Sequence, residues 1–169
     1  YDVFLVGSDQ VWNPFLGIDT NVTLLNFYDK GPKRISYASS FGVSFLPESE
    51  EDKYAKALGK FNSLSVREIS GQKIVSKLLK KEVPVVLDPT LLLDRFQWKK
   101  YEGDYVPNDP YLLIYDMQHT KELINFAVKM AKKRGWKVYA LSRVILKNRH
   151  VKVLSGISPA DFLSLINHA

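Results

Sequence analysis

Short apolar runs alternate with helix-patterned stretches along this chain, and that alternation restricts its fold more than any other feature. Seven runs, at 2–6, 35–38, 64–66, 85–87, 112–115, 138–141 and 151–154, are rich in Val, Ile, Leu and Tyr and read as strands buried on both faces. Between them, Pro47 and the acids Glu48, Glu50, Glu51 and Asp52 supply a helix start, followed by Tyr54, Ala57, Leu58 and Phe61 at helical spacing. Ser70 reads as the cap of a second helix that turns Ile74, Val75, Leu78 and Leu79 inward. A third begins near Thr120, places Leu123, Phe126, Ala127, Met130 and Ala131 on one face, and stops at Gly135. Ser158 and Pro159 open a last helix through Ile166. Strands alternating with helices predict α/β layers with mainly parallel pairing. The stretch 94–110, with Trp98, Tyr101, Tyr105 and two prolines, breaks the rhythm and reads as a join, so the expected domains are 1–107 and 108–169.

At 169 residues, 46% apolar and 25% charged, the composition is that of a soluble globular protein. No apolar run approaches the roughly 18 residues that cross a bilayer. The chain opens on Tyr1 with core-like sequence and no secretory signal, so a piece of a longer, cytoplasmic protein is expected. The absence of cysteine excludes disulfides, thiolate zinc sites and cysteine nucleophiles. The net charge of +6 arises from 24 Lys and Arg against 18 Asp and Glu. Some of that excess, Lys132, Lys133 and Arg134 among it, sits at a helix C-terminus, where cations complement the dipole. No nucleic-acid motif accompanies it, and no nucleic-acid partner is expected. A moderately basic surface suits an anionic small substrate or an acidic glycan.

In open parallel sheets, ligands bind beyond the carboxyl ends of the strands. Those ends carry Gly7, Ser8, Asp9 and Gln10, then Ser39, Ser40, Phe41 and Gly42, then Arg67 and Glu68, then Asp88, Pro89 and Thr90. In the second unit they carry Asp116 to His119, Ser142 with Arg143, and Ser155 with Gly156. Each has a structural reading as well. Gly7 and Ser8 turn a chain, Ser39 to Gly42 permit tight packing, and Asp88-Pro89-Thr90 is a common turn, for which structure comes before chemistry. Arg67 is the most informative, because a guanidinium at a strand end forks onto a phosphate or carboxylate, or else pairs with Glu68 or a neighbouring acid. Arg143 has the same placement. Trp12 and Trp98 offer either a stacking face for a sugar or core packing. The three histidines have no ligand spacing, and neither a metal site nor a Ser-His-Asp arrangement is read.

Four segments in order, GSDQVWNP at 7–14, ISYASSFG at 35–42, LSVREISG at 64–71 and VLDPTLLL at 86–93, followed by Trp98 and by SGISPADFLSLI at 155–166, resemble the polysaccharide pyruvyl transferase family. The resemblance implies two Rossmann-like halves in a glycosyltransferase-B-like arrangement, the second truncated here. It implies a bacterial, cytoplasmic enzyme that transfers a pyruvyl group from phosphoenolpyruvate, a co-substrate and not a bound cofactor, onto two sugar hydroxyls. The product is a cyclic ketal on a surface-polysaccharide precursor, such as a lipid-linked oligosaccharide. Arg67 matches the arginine expected to hold phosphoenolpyruvate, and Asp9 and Asn13 lie in the loop expected to face the acceptor. Gly7, Ser8, Gln10, Trp12, Ser39, Ser40, Phe41, Glu68 and Arg143 are the further substrate-binding candidates. The family's His-Gly motif follows the equivalent of the final helix and is not reached at Ala169, and His168 belongs to the helix end. The fragment alone is therefore expected to be inactive. Two rivals remain: a nucleotide-sugar glycosyltransferase, binding near Ser142-Arg143 and Ser155-Gly156, and a non-catalytic glycan-binding relative.

Overall fold

In the computed structural model, which describes residues 1–117, 120–142 and 148–169, Val3–Val6 (β1) pairs in parallel with Lys33–Ser36 (β2), from Val3 opposite Lys33 to Val6 opposite Ser36. Two further segments extend this sheet through single parallel bridges: Ile35 to Ser63, Ser39 to Val66, and Val66 to Val85. The runs expected as strands at 64–66 and 85–87 are therefore extended and parallel but form no continuous ladder. Serine hydroxyls explain the first. Ser36 Oγ donates to Ser65 O and accepts from Ser65 N, both at 3.0 Å, while Ser65 Oγ donates to Ser36 O at 3.0 Å and accepts from Ala38 N at 3.2 Å. Side chains thus occupy the seam where backbone pairs would lie. Pro84, which has no N–H, precedes the second segment.

This first unit, Tyr1–Leu93, also contains Thr20–Thr23 (α1), Glu48–Leu58 (α2) and Ile69–Leu79 (α3). Glu48, Glu50 and Glu51 fall in the first turn of α2, where negative charge offsets the exposed N–H groups, and Tyr54, Ala57 and Leu58 are buried. The capping expectation for α3 is corrected. Ser70 lies inside the helix and Glu68 holds the cap position in extended geometry, with no side-chain cap bond. The Glu68 carboxylate is drawn elsewhere, to the Ser40 hydroxyl at 2.9 Å and the Phe41 N–H at 3.1 Å. Trp12, Phe41, Tyr54, Leu58, Val66 and Val75 are fully buried at the centre of this core. Truncating an aromatic residue at such a place costs about 3–5 kcal/mol. Arg34 is also buried; its guanidinium donates to the carbonyls of Leu25 (3.0 Å) and Tyr28 and lies 4.1 Å over the Tyr28 ring.

The second unit, Asp94–Ala169, begins with Arg95–Lys99 (α4), capped by Asp94 and Gln97 in a reciprocal box. Tyr111–Tyr115 (β3), Lys137–Leu141 (β4) and Lys152–Leu154 (β5) form a parallel sheet in the order β3-β4-β5. Lys121–Arg134 (α5) ends at Gly135 in the left-handed conformation, as its sequence requires. Its buried stripe is Ile124, Ala127, Val128 and Ala131, whereas Leu123 and Phe126 are 42% and 62% exposed. The helix carries two overlapping apolar stripes, and packing on β3 and β4 selects the one a residue further on. Pro159–Asn167 (α6) has Ser158 as its N-cap, accepting from Asp161 N, with Pro159 at the first position. A core of Ile114, Val128, Val138 and Ala140 lies on the α5 side, and another of Tyr111, Tyr139, Leu154 and Leu165 extends to α6. The segment that opens the unit is held by α6: Arg95 donates to Asn167 Oδ1 at 2.8 Å, Asn167 to Glu102 at 2.8 Å, and Ser164 to the carbonyl of Gly103 at 2.6 Å. The fold is mixed α/β with parallel sheets, consistent with Rossmann-like units. Among the described residues no helix is long and apolar enough to cross a membrane.

Candidate functional site

The carboxyl end of β1 and the ends of the three segments bridged beyond it converge on Arg67. Its backbone is pinned on both sides: Arg67 N donates to Ser39 O at 3.2 Å, and the preceding Val66 exchanges bonds with Pro84 O (3.1 Å) and Val86 N (2.9 Å). The side chain, 30% exposed, reaches three acids. Arg67 Nη1 donates to Asp88 Oδ2 at 3.0 Å, Nη2 lies 3.7 Å from Asp9 Oδ1, and Nε lies 3.8 Å from Glu68 Oε2. Only the first of these has hydrogen-bond length.

Asp88 is the anchor of the cluster. Its Oδ1 accepts from Thr90 N at 3.0 Å and Thr90 Oγ1 at 2.7 Å, and its Oδ2 accepts from Ser8 Oγ at 2.8 Å beside Arg67. The Thr90 N–H, then the Thr90 and Ser8 hydroxyls and the Arg67 guanidinium, hold this carboxyl well below the usual carboxylate range. An acid so stabilised as the anion does not donate a proton near neutral pH. It positions Arg67 and Ser8.

The 7–14 loop is built to bring Asp9 to this point. Gly7 has φ +130°, and a Cβ there would lie 2.0 Å from the carbonyl oxygen of Tyr37, so only glycine fits. Asp9 has φ +56°, a conformation that Asp and Asn tolerate better than most residues, and its carbonyl accepts from Ser40 N at 2.9 Å. Its side chain is 86% exposed. Trp12 N donates to Ser40 O at 3.1 Å, and the indole N–H donates to Thr23 O at 3.0 Å. The Trp12 ring packs against Phe41 and Phe61 and is fully buried, so its faces belong to the core and the stacking role read for it is corrected. Asn13, also buried, donates to Gln10 Oε1 at 2.7 Å and accepts from Phe15 N at 2.9 Å. Asn13 and Gln10 therefore brace the loop, close against Gly42.

The structure thus gathers Ser8, Asp9, Arg67 and Glu68 and adds Asp88 to them. Gly7, Ser39, Ser40 and Phe41 lie behind as support, with Ser39 Oγ donating to Val6 O at 3.2 Å. Arg143 lies outside the described residues. Asp88, read as a turn residue, was detectable only as an acid ending the run after the one that ends in Arg67. Three carboxylates around one guanidinium leave the cluster net negative, yet the looser Nη2 and Nε edges still present parallel donors to a flat anion. Among the described residues no group of acids or histidines is placed to hold a metal ion.

The second unit has a hollow of about 430 Å³ at the carboxyl ends of β3, β4 and β5. Tyr115 and Phe162, in edge contact at 5.3 Å, wall it with Met117, Leu141, Leu154 and Ile157. No lysine or arginine lines it among the described residues. The α6 N-terminus beside it already faces the Asp161 carboxylate, which Ser158 Oγ binds at 2.7 Å. These walls suit the face of a neutral ring better than a phosphate.

The family model for polysaccharide pyruvyl transferase matches residues 1–169. No curated protein and no solved structure matches the chain.

Proposed function

We propose that this chain, which belongs to the polysaccharide pyruvyl transferase family, takes part in the transfer of a pyruvyl group from phosphoenolpyruvate to two hydroxyls of a glycan acceptor by holding the phosphoenolpyruvate. The family is one of transferases acting on polysaccharide; the donor, the ketal product and the residue roles are this proposal, as is the glycosyltransferase-B-like pairing of the two Rossmann-like halves. The observation that carries it is Arg67, fixed at a strand end by Asp88 with its Nη2 and Nε edge only loosely engaged.

In this reading Arg67 holds a phosphate or carboxylate oxygen pair of phosphoenolpyruvate through that edge. Asp9, exposed and able to swing away, takes the proton of the attacking acceptor hydroxyl. The hydroxyl oxygen bonds to C2 as the C2–C3 π pair takes a proton from solvent at the methylene carbon. Phosphate then leaves with the C–O bonding pair, and the second hydroxyl adds to C2 and passes its proton to the departing phosphate, closing the ketal. Ser8 and Glu68 keep the guanidinium and its surroundings in place. The nucleotide-sugar rival draws its support from the hollow in the second unit, but that hollow lacks a described cation for a diphosphate.

Thermal unfolding of the chain with phosphoenolpyruvate tests the proposal. At about a hundred times the dissociation constant the ligand adds about 2.7 kcal/mol of stability, and that increment disappears in Arg67→Ala. No increment from phosphoenolpyruvate, with one from a nucleotide sugar, overturns it.

A further inference from the structure

A second hollow in Asp94–Ala169, of about 260 Å³, opens at the opposite sheet edge, where β4 and β5 begin. Its floor is Val128, Ala131, Val138 and Trp136, and its rim is Lys132, Lys137, Arg149 and His150. These four come from three places in the fold: the last turn of α5, the first residue of β4, and the turn preceding β5. The helix dipole accounts for Lys132 but not for the other three. Among the described residues no carboxylate pairs with Lys132, Lys137 or Arg149.

We propose that this hollow is a binding site for a phosphate or pyrophosphate group, separate from the Arg67 cluster and independent of the pyruvyl transfer reading. Like charges gathered around an apolar floor repel one another unless an anion sits among them. His150 shares this surrounding with Lys132 and Arg149. Its loss of solvation, followed by the charges of Lys132 and Arg149, pushes its pKa below the ordinary histidine value. Arg149 Nε donates to His150 Nε2 at 3.3 Å, which fits the neutral ring. Arg134 lies 4.9 Å over the Trp136 ring and adds a fourth positive charge nearby. A phosphate oxygen set entering here meets a guanidinium, two ammonium groups and, once protonated, an imidazolium. The Trp136 indole beside them provides a flat apolar contact for whatever carries the phosphate.

The test uses the 169-residue chain carrying Arg67→Ala, so that no anion held at the first unit is counted. Inorganic pyrophosphate is titrated by calorimetry, and the His150 ring is followed by NMR across pH. Saturable binding that weakens with salt, raises the His150 pKa and falls at least tenfold in Lys132→Gln/Arg149→Gln is expected, with the variant's melting point unchanged. Phosphatidylcholine vesicles with and without phosphatidylglycerol distinguish the source. Binding only to the anionic vesicles, lost in the same variant, assigns a lipid headgroup; pyrophosphate binding without vesicle binding assigns a soluble phosphate ester. Absence of binding to either probe, or binding that the double variant leaves intact, overturns the proposal.

Discussion

Arg67 Nη1 and Asp88 Oδ2 are joined at 3.0 Å, and the same carboxylate oxygen takes the Ser8 hydroxyl at 2.8 Å. One acid therefore ties the strand end that carries Arg67 to the loop that carries Asp9. Its other oxygen is held by Thr90 through backbone and side chain. The guanidinium is oriented by contacts on one side, which leaves its Nη2 and Nε edge to a ligand.

Because Asp88 is held below the ordinary carboxylate range in the folded chain, it binds a proton more readily once unfolded. Its stabilisation is complete above the unfolded value, near pH 4, and declines as pH falls toward the folded value. Urea unfolding between about pH 4 and pH 2 should show this decline in the native chain and a flatter profile in Asp88→Asn. The variant should be the less stable of the two at pH 7. Equal slopes for both proteins would show that Asp88 does not carry the acid sensitivity.

Asp9 approaches the same guanidinium from the solvent side, at 3.7 Å and largely exposed. It competes with an incoming anion, weakly, because water screens it. Asp9→Asn keeps a residue that tolerates the left-handed backbone and removes the competing charge. Phosphoenolpyruvate should then bind about two- to fivefold more tightly, the range of a solvent-exposed ion pair. Calorimetry reads this directly, and weaker binding would mean that Asp9 supports the anion instead of competing with it.

The alternation of apolar runs and helical stretches was legible because strand length and helix periodicity are local properties. The missing ladders were not. Ser36 and Ser65 look like ordinary strand residues, and their exchange across the seam depends on which segments become neighbours. The same holds for Arg67 and Asp88, which are brought together by the order of segments in the sheet. Trp12 shows a different difficulty: the 7–14 string holds both a ligand-facing acid and a core anchor, and residue type does not separate them. In α5 the sequence offered two apolar stripes, and only the packing on β3 and β4 chose Ile124, Ala127, Val128 and Ala131.

The serine seam also sets where Arg67 emerges, two residues beyond Ser65. Ser65→Ala leaves the buried Ala38 N–H without its acceptor, and Ser36→Ala does the same to the Ser65 N–H. Each should cost about 1–3 kcal/mol, the penalty for an unmet buried polar group. No bond joins the two hydroxyls, but each binds the other serine's backbone, so losing one loosens the partner of the other and the double variant should lose less than the sum of the single losses. Denaturant melts of the four proteins complete that cycle, and strict additivity would show that the seam is not a unit. Where the single variants remain folded, their phosphoenolpyruvate affinity should also fall, because Val66 and Arg67 follow directly from the seam. A variant destabilised as expected but unchanged in affinity would separate the seam from the site and place the control of Arg67 with Asp88 alone.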